Sequence, residues 1–352
     1  MAITIMHNID LRNELIADVR RPKYAAWDVH VRHAENNSGT LSLAIREDNP
    51  ELPMVNALRS ELVILDDGVE IWRGRVTKLE RTDAGRSTLT AMGLLDYLHD
   101  TIAPALTAST GTAKVQISKL LTQHNSKSIS SRQKFYVGSV TISDTVELTT
   151  NGRRETWQEL SSLVSKYGGQ IFSRREANKN YLDWVASVDQ VCSRTLESGA
   201  SISSLTLAVD PNELATVLYA YGGNVDGAPV DLTSVNSGKA YLTDEEAIAT
   251  FGWIEGCYQE SSIKTAAELK TAAQKELKRR INAVRSVRVT AIDRADAISS
   301  EQLGIGSKIR VRAQRLDIDE LMPIKELDWY PYEPKKTTLI CCASLKAISR
   351  II

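Results

Sequence analysis

The chain has 352 residues, 42% hydrophobic and 25% charged, with a formal net charge of −1. That balance fits two to four ordinary globular domains and excludes a global attraction to nucleic acid or an anionic membrane. No stretch approaches the roughly 20 consecutive apolar residues of a membrane span. The N-terminus has no basic leader followed by an apolar core, so we expect no secretory signal and no membrane insertion by this chain.

Residues 1–92 read as β. Trp27–Val31, Thr40–Ile45 and Ser87–Met92 are short strand candidates separated by turn-forming clusters. Between them, Asp67-Gly68 joins Glu61–Leu65 to a second strand beginning Val69–Ile71, a strong hairpin signal because Gly accepts positive φ. That second strand carries apolar residues on both faces. Val69 and Ile71 point one way, Trp72 and Val76 the other, and Leu79 returns to the first. Gly74 is expected to mark a bulge that flips the faces. Trp72 and Val76 are then candidate contacts to another domain or subunit.

The period changes after Gly93. Leu94, Leu95, Tyr97 and Leu98 have helical spacing, and Val115–Leu121 gives a second helix. A third runs through Thr156, Trp157, Leu160, Leu163 and Val164 to a Gly168-Gly169 stop. Gln170–Ser173 and Tyr181–Val185 suggest a hairpin, so 93–200 reads as an inserted α+β domain.

Residues 201–224 return to β and include an apolar strand, Thr216–Tyr221. A polar Gly- and Ser-rich stretch leads to the strongest helix, Thr265–Ala283, with cations in its last turns where they suit the helix dipole. The end is β again. Lys308–Gln314 is the clearest strand, with Ile309, Val311 and Ala313 on one face and Lys308, Arg310 and Arg312 on the other. That basic face is a candidate phosphate or partner contact, against the plainer alternative of a solvated or carboxylate-paired strand face.

Motifs for chemistry fail on spacing. His30 and His33 lie three apart in a strand and face opposite ways, which does not suit chelation. The G-x-G at 304–306 runs into a strand rather than a helix N-terminus. No G-x-S-x-G elbow occurs. Cys192, Cys257, Cys341 and Cys342 form no C-x-x-C pair and are expected to be buried or half-buried apolar residues. No catalytic residue, metal ligand or cofactor site is assigned.

Several stretches, taken in order, resemble phage tail-tip hub proteins. They are "DDGVEIWRGRVTKLER" with "STLTAMGLLDYLHDT", "NELATVLYAYGG", the long "DLTSVNSGKAYLTDEEAIATFGWIEGCYQE" into its helix, and "IGSKIRVRAQRLDIDELMPIKELDWYPYEPKKTTLICCA". The resembled group is the siphophage tail-associated, or prophage endopeptidase tail, family, similar in fold to contractile-tail baseplate hubs. The resemblance implies an α+β, β-rich fold with two small β-barrel domains of tail-tube type plus two α+β domains. The boundaries are a first barrel at 1–92 with 201–224, an inserted domain at 93–200, a linking domain with the long helix at 225–283, and a second barrel at 284–352.

It also implies a homotrimeric ring in the virion, at the distal tail tip, assembled in the bacterial host cytoplasm. That ring would close the tail tube and open for DNA passage. Its implied partners are the distal tail ring protein, the tape-measure protein and phage DNA in transit. Two other readings stand beside it: a tail-associated cell-wall hydrolase with its site in 93–200, and a DNA-binding adaptor using the 308–312 face. Many members carry a C-terminal lytic domain, which is not expected here after the last strand, so no catalytic residue is transferred.

Overall fold

A computed structural model describes residues 3–10, 12–83, 85–127, 130–199, 202–209, 212–225, 227–283, 285–292, 304–316 and 318–342. Among the described residues, four α-helices, α1 (Ala113–Lys127), α2 (Thr156–Tyr167), α3 (Glu245–Phe251) and α4 (Ala266–Ala283), accompany a majority of β structure. The fold is α+β and β-rich, as expected.

Most strands belong to one sheet of 13. Its main path runs Ile202–Val209, Arg285–Ile292, Thr338–Cys342, Ile318–Trp329, Ala26–Ala34, Thr40–Arg46, Arg86–Gly93, Val69–Arg81, Glu61–Asp66, Ile3–Ile9, Arg12–Ala17. Lys308–Ala313 pairs with the Ile318 strand and, in parallel, with Val191–Glu197. The two terminal β segments therefore meet edge to edge, through Glu326↔Ala34, Leu327↔His33, Asp328↔Arg32 and Trp329↔Val31. The path is open, and no closed barrel forms among the described residues. Edge pairing satisfies backbone groups that would otherwise be exposed or costly to bury.

Four apolar cores form. The first gathers residues 3–91, with Ile5, Leu41, Leu43, Ile64 and Leu89 at 1% exposure or less. The second gathers 94–184, around α1 and α2. The third joins Cys192 and Leu196 to Ile309, Val311, Met322, Ile324 and Leu339. The fourth packs α4, through Leu269, Ala273 and Leu277, against Leu218, Ala220 and Leu242. Each fully buried Leu or Ile side chain contributes roughly 1.5–3 kcal/mol against exposure.

Segment 201–224 departs from expectation. Ile202–Val209 pairs with Arg285–Ile292 in the C-terminal β unit. Val217–Gly222 lies in a separate three-stranded sheet between Tyr241–Thr243 and Glu255–Glu260. Ile202–Val209 thus pairs directly with the C-terminal unit and not with a strand of 1–92, and the apolar face of Val217–Gly222 is covered by α4.

Local signals fare well where chemistry forces geometry. Asp67 and Gly68 both have positive φ, 46° and 86°, as a two-residue primed turn requires. Helix α2 starts with a reciprocal capping box between Glu155 and Gln158 and stops at Gly168, φ 76°. Leu94–His99 is a 3-10 helix rather than an α-helix. Its six residues bury Leu94, Leu95, Tyr97 and Leu98, and Arg75 holds Asp96 and Asp100 at its two ends.

A candidate interdomain junction around Trp72

The strand Val69–Arg81 contains two bulges, and neither is at Gly74. One leaves Ile71 extra opposite Ile64/Leu65, and the other leaves Thr77 extra opposite Ala91/Thr90. Each extra residue resets the two-residue alternation. Ile71, Trp72, Val76 and Leu79 can therefore all pack on the same core. Gly74 itself pairs regularly with Leu62 and Gly93. Its requirement is space: a Cβ there would lie 2.3 Å from Trp72 Cη2 and 2.4 Å from the Met92 carbonyl oxygen.

Trp72 is 7% exposed and Val76 fully buried, both inside the first core. Val76 thus offers no surface to another subunit. Trp72 does reach a boundary between units. It lines a cavity of about 550 Å³ with Ile71 and Val31 from the first core, Phe172 and Val185 from the inserted unit, and Ile305, Leu327 and Trp329 from the C-terminal one. Its Nε1 is buried without a partner among the described residues.

The arginines beside Trp72 make two half-buried ion clusters, each with one exposed carboxylate, Glu70 or Asp100. Arg73 donates to Glu61 at 2.8 Å and to Glu70 at 2.9 and 2.6 Å. Tyr97 donates to the other Glu61 oxygen at 2.9 Å. Burial, and then the Glu61 charge, push the Tyr97 phenol far above its ordinary range. Arg75 donates to Asp96 and Asp100, 2.6 Å each, while lying over the Tyr97 ring. Burial works against both guanidinium charges, and the carboxylate hydrogen bonds more than offset it. The hairpin is thereby tied to the first turn of the inserted unit.

The turn after Ala26–Ala34 closes the junction. Glu35 accepts from Lys325 Nζ and from Gln170, and Asn36 Oδ1 accepts from the Ile171 amide at 2.8 Å. Three units therefore meet at two adjacent residues. His33, next to them, lines the Trp72 cavity, and burial lowers its pKa to about 4.

The basic strand is carboxylate-paired. Arg310 and Arg312 share Asp319 at 2.6 and 3.4 Å, and Lys308 lies 3.9 Å from Asp189. Their opposite face, Ile309, Val311 and Ala313, is buried. The remaining histidines have structural partners. His7 bonds Glu51 and Ser60, His124 bonds Thr101 and the Gln133 carbonyl, His99 pairs with Glu155, and His30 stacks on Tyr330. Cys192 and Cys341 are buried, whereas Cys257 is exposed, against expectation, because its strand turns it away from α4. No group of three metal-ligating side chains forms among the described residues.

Sequence reading missed Glu61, Asp96, Glu35 and Gln170 as members of the junction. Glu61 was only partly findable: the hairpin turn alone sets it opposite Gly74, between Arg73 and Arg75, and the bulge at Ile71 moves it opposite Arg75. Glu35 and Gln170 lie 135 positions apart, and nothing local couples them.

The fold matches that of tail proteins. The 43 kDa tail protein of prophage MuSo2 from Shewanella oneidensis superposes with TM-score 0.69 at 12% identity, over 98% of this chain and 99% of that one. Prophage tail protein gp18 from Listeria monocytogenes gives 0.66 at 12%, over 99% and 97%. An E. coli type VI secretion component, described as structurally similar to T4 bacteriophage tail proteins gp27 and gp5, gives 0.52 at 9%, over 91% and 73%. Among curated proteins, none matches in sequence. The chain thus has the fold of phage tail proteins. More narrowly, residues 190–352 match the family model of prophage endopeptidase tail proteins.

Proposed function

We propose that the chain is a structural subunit of the distal tail tip, three copies of which form a ring that closes the tail tube and opens for DNA passage. The observation that carries this reading is the edge-to-edge pairing of the two terminal β units, Ala26–Ala34 with Ile318–Trp329. It makes one stiff sheet of two β units, so three chains would present six similar units around an axis. The tail-protein fold and the family match over 190–352 support the setting.

In this reading the layout is a first β unit at 3–93, an inserted α+β unit at 94–185, a helix-bearing unit at 214–283, and a C-terminal β unit built from 191–209 and 285–342. The partners are a second and third copy, the tail ring above, the tape-measure protein and DNA in transit. The Trp72 junction serves within the chain, holding the units at fixed angles.

Immunogold labelling of purified particles tests the placement. Gold at the distal tail end is expected. Gold along the shaft, or none on particles, would sink the proposal.

A further inference from the structure

The sheet of Val217–Gly222, Tyr241–Thr243 and Glu255–Glu260 has α4 on one face, where Leu218, Ala220 and Leu242 are buried. The two-residue period turns Tyr219, Tyr221 and Tyr241 to the other face. Tyr219 and Tyr241 are cross-strand partners with ring centroids 5.2 Å apart. Trp253, entering just before the third strand, meets Tyr241 edge-on at 5.9 Å and 77° and is 54% exposed. Tyr219, Tyr241 and Trp253 thus form one run of ring contacts on that face, half-exposed at the tyrosines and open at Trp253.

Its charge is negative. Glu255 accepts from Trp253 Nε1 at 3.0 Å, which places its carboxylate beside the rings. Exposed Glu245 and Glu246 open α3 at the same end of the sheet. The chain already places one cation there: Lys239 Nζ stands 5.9 Å from the Tyr241 ring centre.

We infer that this face docks an arginine-bearing surface of another protein chain. An arginine stacks its planar guanidinium on Tyr or Trp and forms a forked pair with a carboxylate, and this face supplies both side by side. Tyr, Trp and Arg are also the residues that dominate binding energy at protein interfaces. A single-stranded nucleic acid would use such rings too, but needs a positive track along its backbone where this face is acidic. A purely apolar partner would bury Glu255 without a counter-charge, which is costly. A small cation would be better served by a concave site than by an open sheet face.

The test uses the full chain and two short peptides, one alternating glycine with arginine and one alternating glycine with glutamate, titrated at low salt and followed by NMR. Saturable binding of the arginine peptide is expected, with shifts centred on Tyr241 and Trp253. Trp253→Ala and Glu255→Gln should each weaken it at least fivefold, with the fold unchanged by circular dichroism. Equal binding by the glutamate peptide, or arginine-peptide affinity indifferent to both variants, would overturn the inference. The outcome is independent of whether the chain forms a ring.

Discussion

Arg73 donates to Glu61 at 2.8 Å across the Asp67-Gly68 hairpin, and the Glu61 carboxylate has no solvent exposure at all. Its second oxygen is taken by Tyr97 from the adjoining unit. Removing Glu61 leaves the Tyr97 hydroxyl and one Arg73 N–H without their buried acceptor. We expect Glu61→Ala to destabilise the first β unit by about 3–5 kcal/mol, read from its denaturant midpoint. Glu61→Gln, which keeps an acceptor, should cost less. A change under about 1 kcal/mol for the alanine variant would contradict the assigned role.

Gly74→Ala should be among the worst single-atom additions in the strand. Its Cβ would meet the Met92 carbonyl at 2.4 Å as well as the Trp72 ring. We expect a loss of about 1–3 kcal/mol or more, the range of overpacked cores. Pairing it with Trp72→Phe should recover only part, because the backbone oxygen cannot retreat. Full recovery would show that the ring alone sets the need for glycine.

The His33 pKa sets a pH window. Its folded value of about 4 lies below the ordinary 6.5, so between those values the unfolded chain binds more protons. Stability from this group is therefore constant above about pH 6.5, falls as pH drops toward 4, and changes no further below. The total is at most about 3 kcal/mol. His33→Gln should flatten that part of the stability–pH curve while leaving the carboxylate-driven loss at lower pH. An unchanged curve would show that His33 is solvated.

The Glu35 turn predicts a loosening without unfolding. Glu35→Ala removes acceptors for Lys325 and Gln170 together. We expect faster hydrogen exchange at Ile171 and along Val31–Ala34, with each unit's own core protection kept. Uniform acceleration across all units would mean that the turn holds the fold rather than the junction.

The paired basic strand predicts weak DNA binding. Asp319 engages both Arg310 and Arg312, and their hydrogen bonds hold its carboxyl below the usual carboxylate range. Wild-type chain should show little salt-dependent affinity for duplex DNA, and Asp319→Ala should raise both affinity and salt slope. Strong binding by the wild type that Arg310→Ala abolishes would favour a DNA-contacting face.

What could be read in advance follows the range of the forces. Asp67-Gly68, the α2 stop at Gly168 and the alternation of Lys308–Ala313 depend on neighbours in sequence, and all stand where the residues point. Bulge positions were not legible. Gly74 draws the eye, but the register shifts at Ile71 and Thr77 are set by the partner strands. The placement of 202–209 failed for the same reason, because its partner lies some 80 residues ahead. Trp72 lines a cavity with Phe172 and Ile305, which are distant in the chain, so its surroundings could not be read from its own strand. The Arg310 face was open between two readings, and its carboxylate partner, Asp319, lies nine residues on and back across a turn.

The ring is the central claim, and the mass of the purified chain in solution tests it most directly. Light scattering coupled to size exclusion, at tens of micromolar and with the tail ring protein added, should give a species containing three chains of 38.9 kDa each. Electron microscopy of that fraction should show a central hole. A chain that remains monomeric with the tail ring protein present would contradict the account.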